Sequence, residues 1–242
     1  MRHASDEPDV RGYAVTHPRG LDALPPADGW DQLVYATAGV MTVHTDVGTW
    51  VVPPDRAVWV PDGTSRRITL TGPTRIRTLY YRAGAAPGSR CRAIAVSPLL
   101  RELIAHTVPR CPLWHTDPHH ERLAGLVLDL LADAPEIPLR LPLPADPRAR
   151  AVAAAIAREP ASDPAASALS RRSLERIFRA ETGLTLGQYR ERARLLAALP
   201  RLAAGEPVAR VAADVGYATP SAFGVMFKRV LGTSPARYFS GR

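Results

Sequence analysis

The hydrophobic pattern of this 242-residue chain changes its period near residue 90, and this change limits the available folds more than any other feature. From about Gln32 to Arg82, β-branched and aromatic residues come in short runs. The runs are separated by turn signals such as those at residues 53–55 and 61–63. Several short strands at this spacing are typical of a β-barrel or a β-sandwich.

Beyond residue 90 the apolar residues follow a helical period. In the stretch HHERLAGLVLDLLADA, apolar side chains recur at helical spacing, namely Leu123, Leu126, Val127, Leu130 and Leu131. Such spacing places one apolar stripe along a helix. A shorter helix is predicted over residues 98–106. The pattern leaves open whether these stripes pack on the strands or against a second copy of the chain.

A proline-rich stretch precedes a second helical region. Residues 135–147 contain five prolines, which is typical of a stiff linker. Residues 148–159 are rich in alanine, and residues 186–204 begin with a capping box at 185–188 and end at Gly205. We therefore predict a two-domain α+β chain. Its segments are a β-barrel domain at 1–90, a helical dimerisation segment at 91–134, the linker at 135–147 and an all-α domain at 148–242.

The positive charge lies in the C-terminal part of the chain. From Arg148 to Arg242 there are 16 basic and 7 acidic residues, whereas the part before it has 15 basic and 16 acidic residues. An excess confined to one half favours contact with a polyanion such as nucleic acid. Almost all of this basic charge is arginine, so genome base composition is an alternative explanation.

Targeting and redox signals are weak. The N-terminal residues MRHASDEPDV contain no apolar segment typical of a secretory signal, and no apolar run has the length of a membrane span. Cys91 and Cys111 match no disulfide framework and no zinc-ligand spacing. These features predict a cytoplasmic protein.

Near the C-terminus a helix stop is followed at once by a helix start. Pro207 suits the first turn of a helix over residues 207–215, and Gly216 suits its left-handed end. Thr219 is a good N-cap for a second helix, which Gly232 ends. The inner face of this second helix has Phe223, Met226, Phe227, Val230 and Leu231, and its outer face has Thr219, Ser221, Gly224, Val225 and Lys228. The pattern predicts a helix-turn-helix, although an αα-hairpin that only packs would have a similar pattern.

A similar helix is predicted from Ser170 to Gly183. Its inner face has Leu174, Ile177 and Phe178, and its outer face has Arg171, Arg172, Glu175, Arg176 and Arg179. Guanidinium groups match both phosphates and guanine edges. Residues 186–204 would then form a rod that holds two recognition helices about one turn of DNA apart, near 34 Å.

These motifs resemble a known family. The stretches SRRSLERIF, ETGLTLGQY, AGEPVARVA and GYATPSAFGVMFKRVLGTSPARYF are similar to the DNA-binding domain of AraC/XylS-type transcription regulators. The stretches QLVYATAGVMTV, WVVPPDRAVWVPDG and IRTLYY resemble strands of the cupin-like sensor domain of this family. The resemblance implies a sequence-specific regulator that binds double-stranded DNA.

The resemblance also implies roles for individual residues. Base contacts fall on the outer face near the start of each recognition helix, at Arg172, Glu175 and Arg176 in the first unit and at Ser221, Gly224, Val225 and Lys228 in the second. Phosphate contacts, which set register without selecting sequence, fall on Arg171, Arg179 and Arg229.

Two features depart from the family pattern. Pro164 and Ser170 are only six residues apart, so the segment between them is too short for a supporting helix and a turn. Either residues 148–159 act as the supporting helix, or the first unit is truncated and poorly held. Pro200 lies inside the rod, where an interior proline costs about 3 kcal/mol and kinks a helix. We therefore expect the two units to be aligned differently from the usual pair.

The barrel does not match a catalytic metal site. A cupin enzyme needs a set of histidines and an acid, but Pro26, Asp28, Gln32 and Arg66 stand at the corresponding positions. We expect no metal and no cofactor there. Asp28, Gln32 and Arg66, with Tyr35 and Trp59, would instead form a site for a polar or anionic effector at the barrel mouth. The alternative is that Arg66 simply pairs with a surface acid.

One further cluster is of interest, formed by Cys111, His115, His119 and His120. Pro112 and Pro118 would break the helix needed to align these side chains, so we do not predict a metal site.

The sequence as a whole predicts a transcription regulator that is a homodimer, responds to a small-molecule effector and is not an enzyme. The competing class is a small-molecule-binding cupin protein whose altered C-terminal domain serves as a partner or oligomerisation module.

Overall fold

The computed structural model describes residues 7–18, 21–24, 28–85, 90–162 and 169–239. The strands are β1 (Val10–His17), β2 (Leu21–Leu24), β3 (Trp30–Thr45), β4 (Gly48–Val52), β5 (Arg56–Val60), β6 (Arg66–Arg82), β7 (Arg92–Ala95) and β8 (Arg140–Pro142). The helices are α1 (Pro98–Thr107), α2 (Pro118–Asp133), α3 (Pro147–Arg158), α4 (Arg171–Thr182), α5 (Leu186–Ala203), α6 (Val208–Asp214), α7 (Pro220–Leu231) and α8 (Pro235–Phe239). None of the described helices combines the length and the apolarity that crossing a bilayer requires.

The chain divides into two compact units. The first consists of Met1–Thr45 and Val52–Ile137, and the second of Asp46–Val51 and Pro138–Arg242. The sequence placed the start of the C-terminal domain at residue 148, ten residues later than the second unit's main segment begins. The difference arises because residues just before 148 already pair with a strand of the second unit.

The first unit is built on antiparallel strands. β1 and β2 pair with β6, β3 pairs with β5 and β6, and β5 pairs with β7. The sequence missed β1, because only Val10 of its eight residues is buried and the apolar signal is therefore weak. The antiparallel architecture agrees with the predicted β-rich domain, and closure into a cupin-like barrel stays a prediction.

α1 and α2 complete the core of the first unit. Leu100 and Ile104 of α1, with Leu123 and Val127 of α2, are buried in one cluster with residues of β3, β5 and β6. Both helices lie where the sequence predicted them. Leu126 is 46% exposed, so the predicted apolar stripe on α2 is only partly buried.

Part of the predicted linker is a strand. β8 pairs with β4 in antiparallel register, and the Leu143 amide donates to the Val47 carbonyl at 3.2 Å. The Arg140 guanidinium lies 5.2 Å from the centre of the Trp50 ring. Prolines limit this strand to three residues because they lack the amide that a longer ladder needs. The stretch at 135–147 is therefore not only a spacer.

The structure does not confirm a truncated first helix-turn-helix. α3 packs against α4 and α5, so it occupies the place of the supporting helix, which was one of the two alternatives. Asp146 caps α3 by accepting from the amides of Arg148 and Ala149. The connection from α3 to α4 is long, and its residues 163–168, which include Pro164, lie outside the described part of the chain.

α5 continues through Pro200 as one helix. Its N-terminus has the predicted capping box, in which Thr185 and Gln188 each bond the other's backbone amide. Leu199 and Leu202, on either side of the proline, are buried. Their packing holds the helix where the proline removes one backbone hydrogen bond. The altered alignment of the two helix-turn-helix motifs stays a prediction.

Candidate nucleic-acid interface

α7 has the boundaries that its sequence predicts. The Thr219 hydroxyl accepts a hydrogen bond from the Ala222 amide at 3.1 Å, and Pro220 occupies the first turn. Gly232 ends the helix with a φ of 80°, in the left-handed region where glycine is favoured. Local signals at both ends therefore define this helix before any tertiary contact is considered.

The inner face of α7 is anchored by aromatic rings. Phe223 and Phe227 are completely buried, and their ring centres lie 5.7 Å apart. Tyr217 contacts Phe223 edge-on at 5.5 Å, and Tyr238 of α8 contacts Phe227 edge-on at the same distance. The sequence missed α8, a helix of only five residues. These contacts fix the rotation of α7 about its axis, and hence which residues face outward.

The outer face of α7 is accessible. Ser221 and Lys228 are exposed, and Val225 is 71% exposed. A Cβ atom added to Gly224 would meet no atom within 4 Å. Lys228 forms no ion pair with any residue that the structure describes. This face can therefore approach another molecule closely and present a cation to it.

The turn before α7 needs a glycine. Gly216 has a φ of 92°, and a Cβ atom there would lie 2.9 Å from the Ala161 Cα atom. The Tyr217 amide reaches back to the Ala212 carbonyl at 2.9 Å, which closes the end of α6. α6 itself begins at Val208, so Pro207 is its N-cap and not its first residue as predicted.

α4 presents four arginines to solvent. They are Arg171, Arg172, Arg176 and Arg179. None of them forms an ion pair with a described residue, whereas Leu174, Ile177 and Phe178 are buried on the opposite face. The predicted outer face of the first recognition helix is thus the face that the structure exposes.

The Glu175 carboxylate has a hydrogen-bond partner within the protein. Its carboxylate accepts a hydrogen bond from the Leu186 amide at 3.1 Å, at the start of α5. A negative charge at a helix N-terminus is favourable because the first amides lack partners and the helix dipole is positive there. The structure gives this predicted base-contacting residue a capping contact that the sequence did not reveal.

Replacing Glu175 with alanine tests the capping contact. We expect the free energy of unfolding to fall by about 0.5–2 kcal/mol, the usual cost of losing a cap. Urea titration of the full chain measures the change. Arg179→Ala, on the exposed face of the same helix, is the control and should stay within about 0.5 kcal/mol of the wild type. Unchanged stability with an altered base preference would favour the base-contact role instead.

Arg229 is also held by the protein. Its guanidinium forms a close ion pair with Glu191 of α5, and this contact raises the pKa of Arg229. Two other ion pairs of the same compact unit join Arg201 to Glu206 and to Asp214, both at 2.6 Å. The hydrogen bond from Arg201 lowers the pKa of Glu206. Arg229 is therefore less available for a phosphate than Lys228 beside it.

The predicted effector residues do not form one site. Arg66 donates to the Gln32 side chain at 2.9 Å, and Gln32 donates to the Tyr80 hydroxyl at 3.1 Å. Arg66 thus has the Gln32 amide as one of its partners, and its pairing with a surface acid stays an alternative. Asp28 is exposed and has no hydrogen bond or ion pair to Arg66 or Gln32 among the described residues, and Pro26 lies outside them.

Tyr35 and Trp59 lie elsewhere. Both are buried in the core cluster with α1 and α2, and the Trp59 and Tyr81 rings lie 5.9 Å apart. Tyr35 and Gln32 are three residues apart on β3, so their side chains point to opposite faces of the strand. The sequence grouped residues that the alternation of the strand separates.

The histidine cluster is dispersed. No group of three or more potential metal-binding side chains lies together among the residues that the structure describes. His115 bonds Asp9 through its Nδ1 atom at 2.8 Å, and Cys111 bonds the Thr107 carbonyl. Burial raises the pKa of the Cys111 thiol to about 11. Asp9 was missed because it lies more than a hundred residues away in the sequence.

The chain is similar to several known proteins. Residues 165–241 match the family described as a helix-turn-helix domain. The chain is 33% identical to the HTH-type transcriptional regulator NimR of Escherichia coli K12 over 86% of this chain and 79% of the relative. It is 37% identical to the regulatory protein SoxS of Salmonella typhimurium, over 30% of this chain and 68% of the relative. A crystal structure of ToxT from Vibrio cholerae O395 aligns with a TM-score of 0.39 and 10% identity, over 96% of this chain and 97% of that one.

Proposed function

The chain belongs to the AraC/XylS family of transcription regulators, and we propose that it binds double-stranded DNA sequence-specifically through α4 and α7. The observation that carries this proposal is the outer face of α7. It combines small residues and a lysine that has no ion-pair partner among the described residues with an inner face that aromatic rings hold in place. A helix held in this way can enter the major groove without first being ordered.

The contacts divide by chemistry. Thr219, Ser221, Gly224, Val225 and Lys228 approach the bases, because a face of small side chains lets the backbone come close to the groove floor. On α4, the first recognition helix, Arg172 and Arg176 make base contacts, while Arg171 and Arg179 bind phosphates. Glu175 and Arg229 contribute by positioning α5 and α7, since each already has a partner on α5.

Replacing Lys228 with alanine tests this assignment. We expect the affinity for duplex DNA from upstream of the protein's own gene to fall about tenfold, because the single lysine of α7 loses its contact. Footprinting and mobility shift of the full chain measure the loss. Arg122→Ala, which removes an exposed cation from α2, is the control and should bind as the wild type does.

Salt dependence provides the outcome that would contradict the proposal. Neutralised phosphates release counterions, so log affinity should fall linearly with log salt, by about 0.9 for each phosphate contact. A flat response would favour the alternative, in which the C-terminal unit is a partner or oligomerisation module. Arg176→Ala then tests the first helix-turn-helix. A loss of DNA affinity as large as that for Lys228→Ala indicates that both recognition helices, α4 and α7, dock on DNA.

The remaining features of the proposal concern the N-terminal compact unit, which consists of Met1–Thr45 and Val52–Ile137. Leu99 of α1 is 60% exposed and Leu126 of α2 is 46% exposed, so both apolar side chains are available to pack against a second copy of the chain. They support a homodimer formed through the helical segment. A small-molecule effector bound by the first unit and a cytoplasmic location complete the proposed function.

A further inference from the structure

The first unit contains a cavity of about 390 Å³ that the sequence did not predict. It lies beside α2, the start of β1, the end of β6 and the segment around Trp114. Its volume is within the range of roughly 300–1,000 Å³ that is usual for small-molecule sites.

The floor of the cavity is apolar and buried. Val10, Tyr81 and Leu113 line it and are at most 2% exposed. The Tyr81 hydroxyl donates to the Ala124 carbonyl of α2 at 3.4 Å, and burial raises the pKa of this hydroxyl. Tyr81 therefore stays neutral and links the strand to the helix, so the floor is formed before any ligand arrives.

Two walls of the cavity consist of very small residues. One is the segment Ala83, Gly84 and Ala85, and the other is the pair Ala124 and Gly125 on α2. A Cβ atom added to Gly84 or to Gly125 would meet no described atom within 4 Å. At these five positions no side chain is larger than a methyl group, so this part of the cavity, here called the slot, leaves room for a flat ring.

Most of the charged groups around the slot are already paired. Asp9 accepts from the His115 backbone amide at 2.6 Å and forms an ion pair with Arg82 at 3.5 Å. Burial opposes its ionisation, but the His115 hydrogen bonds and Arg82 leave the pKa of Asp9 below its ordinary value. Asp9 and Arg82 therefore offset each other.

Glu121 is the exception. It lines the cavity from the first turn of α2, and its carboxylate forms no hydrogen bond or ion pair with a residue in the described ranges. His120 beside it accepts from the Trp114 amide through Nδ1 at 3.4 Å. Trp114 adds an aromatic surface to the same cavity.

We propose that this cavity binds a small planar aromatic cation, such as an amidine or a protonated heteroaromatic amine, and that it is the effector site of the regulator. The ring enters the slot between the small residues, and the cation pairs with Glu121 and lies near Trp114. That the bound cation acts as an effector rests on the proposed function, whereas its binding in this cavity does not.

Benzamidine is the probe, with neutral benzamide and anionic benzoate as matched molecules of the same shape. Isothermal titration calorimetry on the full chain, without DNA, should show benzamidine binding at least tenfold more tightly than either of the others. Glu121→Gln should remove this preference by weakening benzamidine at least tenfold while leaving benzamide unchanged. Asp129→Asn, an equal charge change at an exposed site on the same helix, should have no effect.

Gly125→Leu tests the position of the site. Its side chain fills the slot, so benzamidine binding should be lost, while the unfolding midpoint should hold or rise because leucine favours a helix more than glycine does. No benzamidine binding, equal binding of benzamide, or unchanged binding by both cavity variants would overturn the proposal. Because this experiment contains no DNA, its result does not affect the Lys228→Ala test of DNA binding.

Discussion

Replacing Phe227 with alanine is expected to destabilise the second unit by about 3–5 kcal/mol, the usual cost of removing a buried ring. Phe227 is completely buried and contacts three other rings, those of Phe223, Tyr238 and Phe239. We expect most of the cavity left by the ring to remain, because the neighbouring aromatic rings are rigid. Loss of the ring also frees α7 to rotate, and DNA binding should fall with stability.

Urea unfolding of the full chain, followed by far-ultraviolet circular dichroism, measures this change as an early transition of the second unit. Val225→Ala is the matched control, because Val225 lies on the same helix but is 71% exposed. Its stability should stay within about 0.5 kcal/mol of the wild type. Equal midpoints for the two variants would show that the aromatic cluster does not hold α7.

Gly216→Ala is expected to have the second largest effect. An alanine in the left-handed region costs roughly 1–2 kcal/mol, whatever its surroundings. At Gly216 the new Cβ atom would also lie 2.9 Å from the Ala161 Cα atom, which is backbone and cannot move aside cheaply. This clash should add about 1–3 kcal/mol, as overpacking usually does.

Gly205→Ala separates the two costs. Gly205 also follows a helix in the left-handed region, with a φ of 84°, but a Cβ atom there would meet nothing within 4 Å. Urea unfolding should therefore place Gly205→Ala between the wild type and Gly216→Ala. If both variants lose the same stability, the approach of Ala161 to the turn before α7 is not a real constraint.

The boundaries and the buried face predicted from the sequence agree most closely with the observed fold at α7. Thr219, Pro220 and Gly232 act on residues next to them in the chain, and the spacing of Phe223 and Phe227 defines the buried face. Such local signals are fully present in the sequence. The same reasoning located α1, α2 and α5, because each has a cap or a stripe of its own.

Prediction failed where residues were grouped by chemistry alone or where the connection between two elements is long. Gln32 and Tyr35 were grouped by chemistry, but the pleat of β3 sends them to different faces. The role of α3 as a supporting helix could be offered only as one of two alternatives, because a long connection separates it from α4.

The sequence by itself determined that this chain ends in a helix-turn-helix with an exposed lysine, since capping and helical periodicity are local and every relevant residue lies within a few positions. Only the tertiary structure decided that Glu175 and Arg229 are bound by α5, that β8 pairs with β4, and that a cavity opens beside Glu121. These features depend on which distant surfaces meet, and hydrophobic patterning constrains which face is buried but not what covers it.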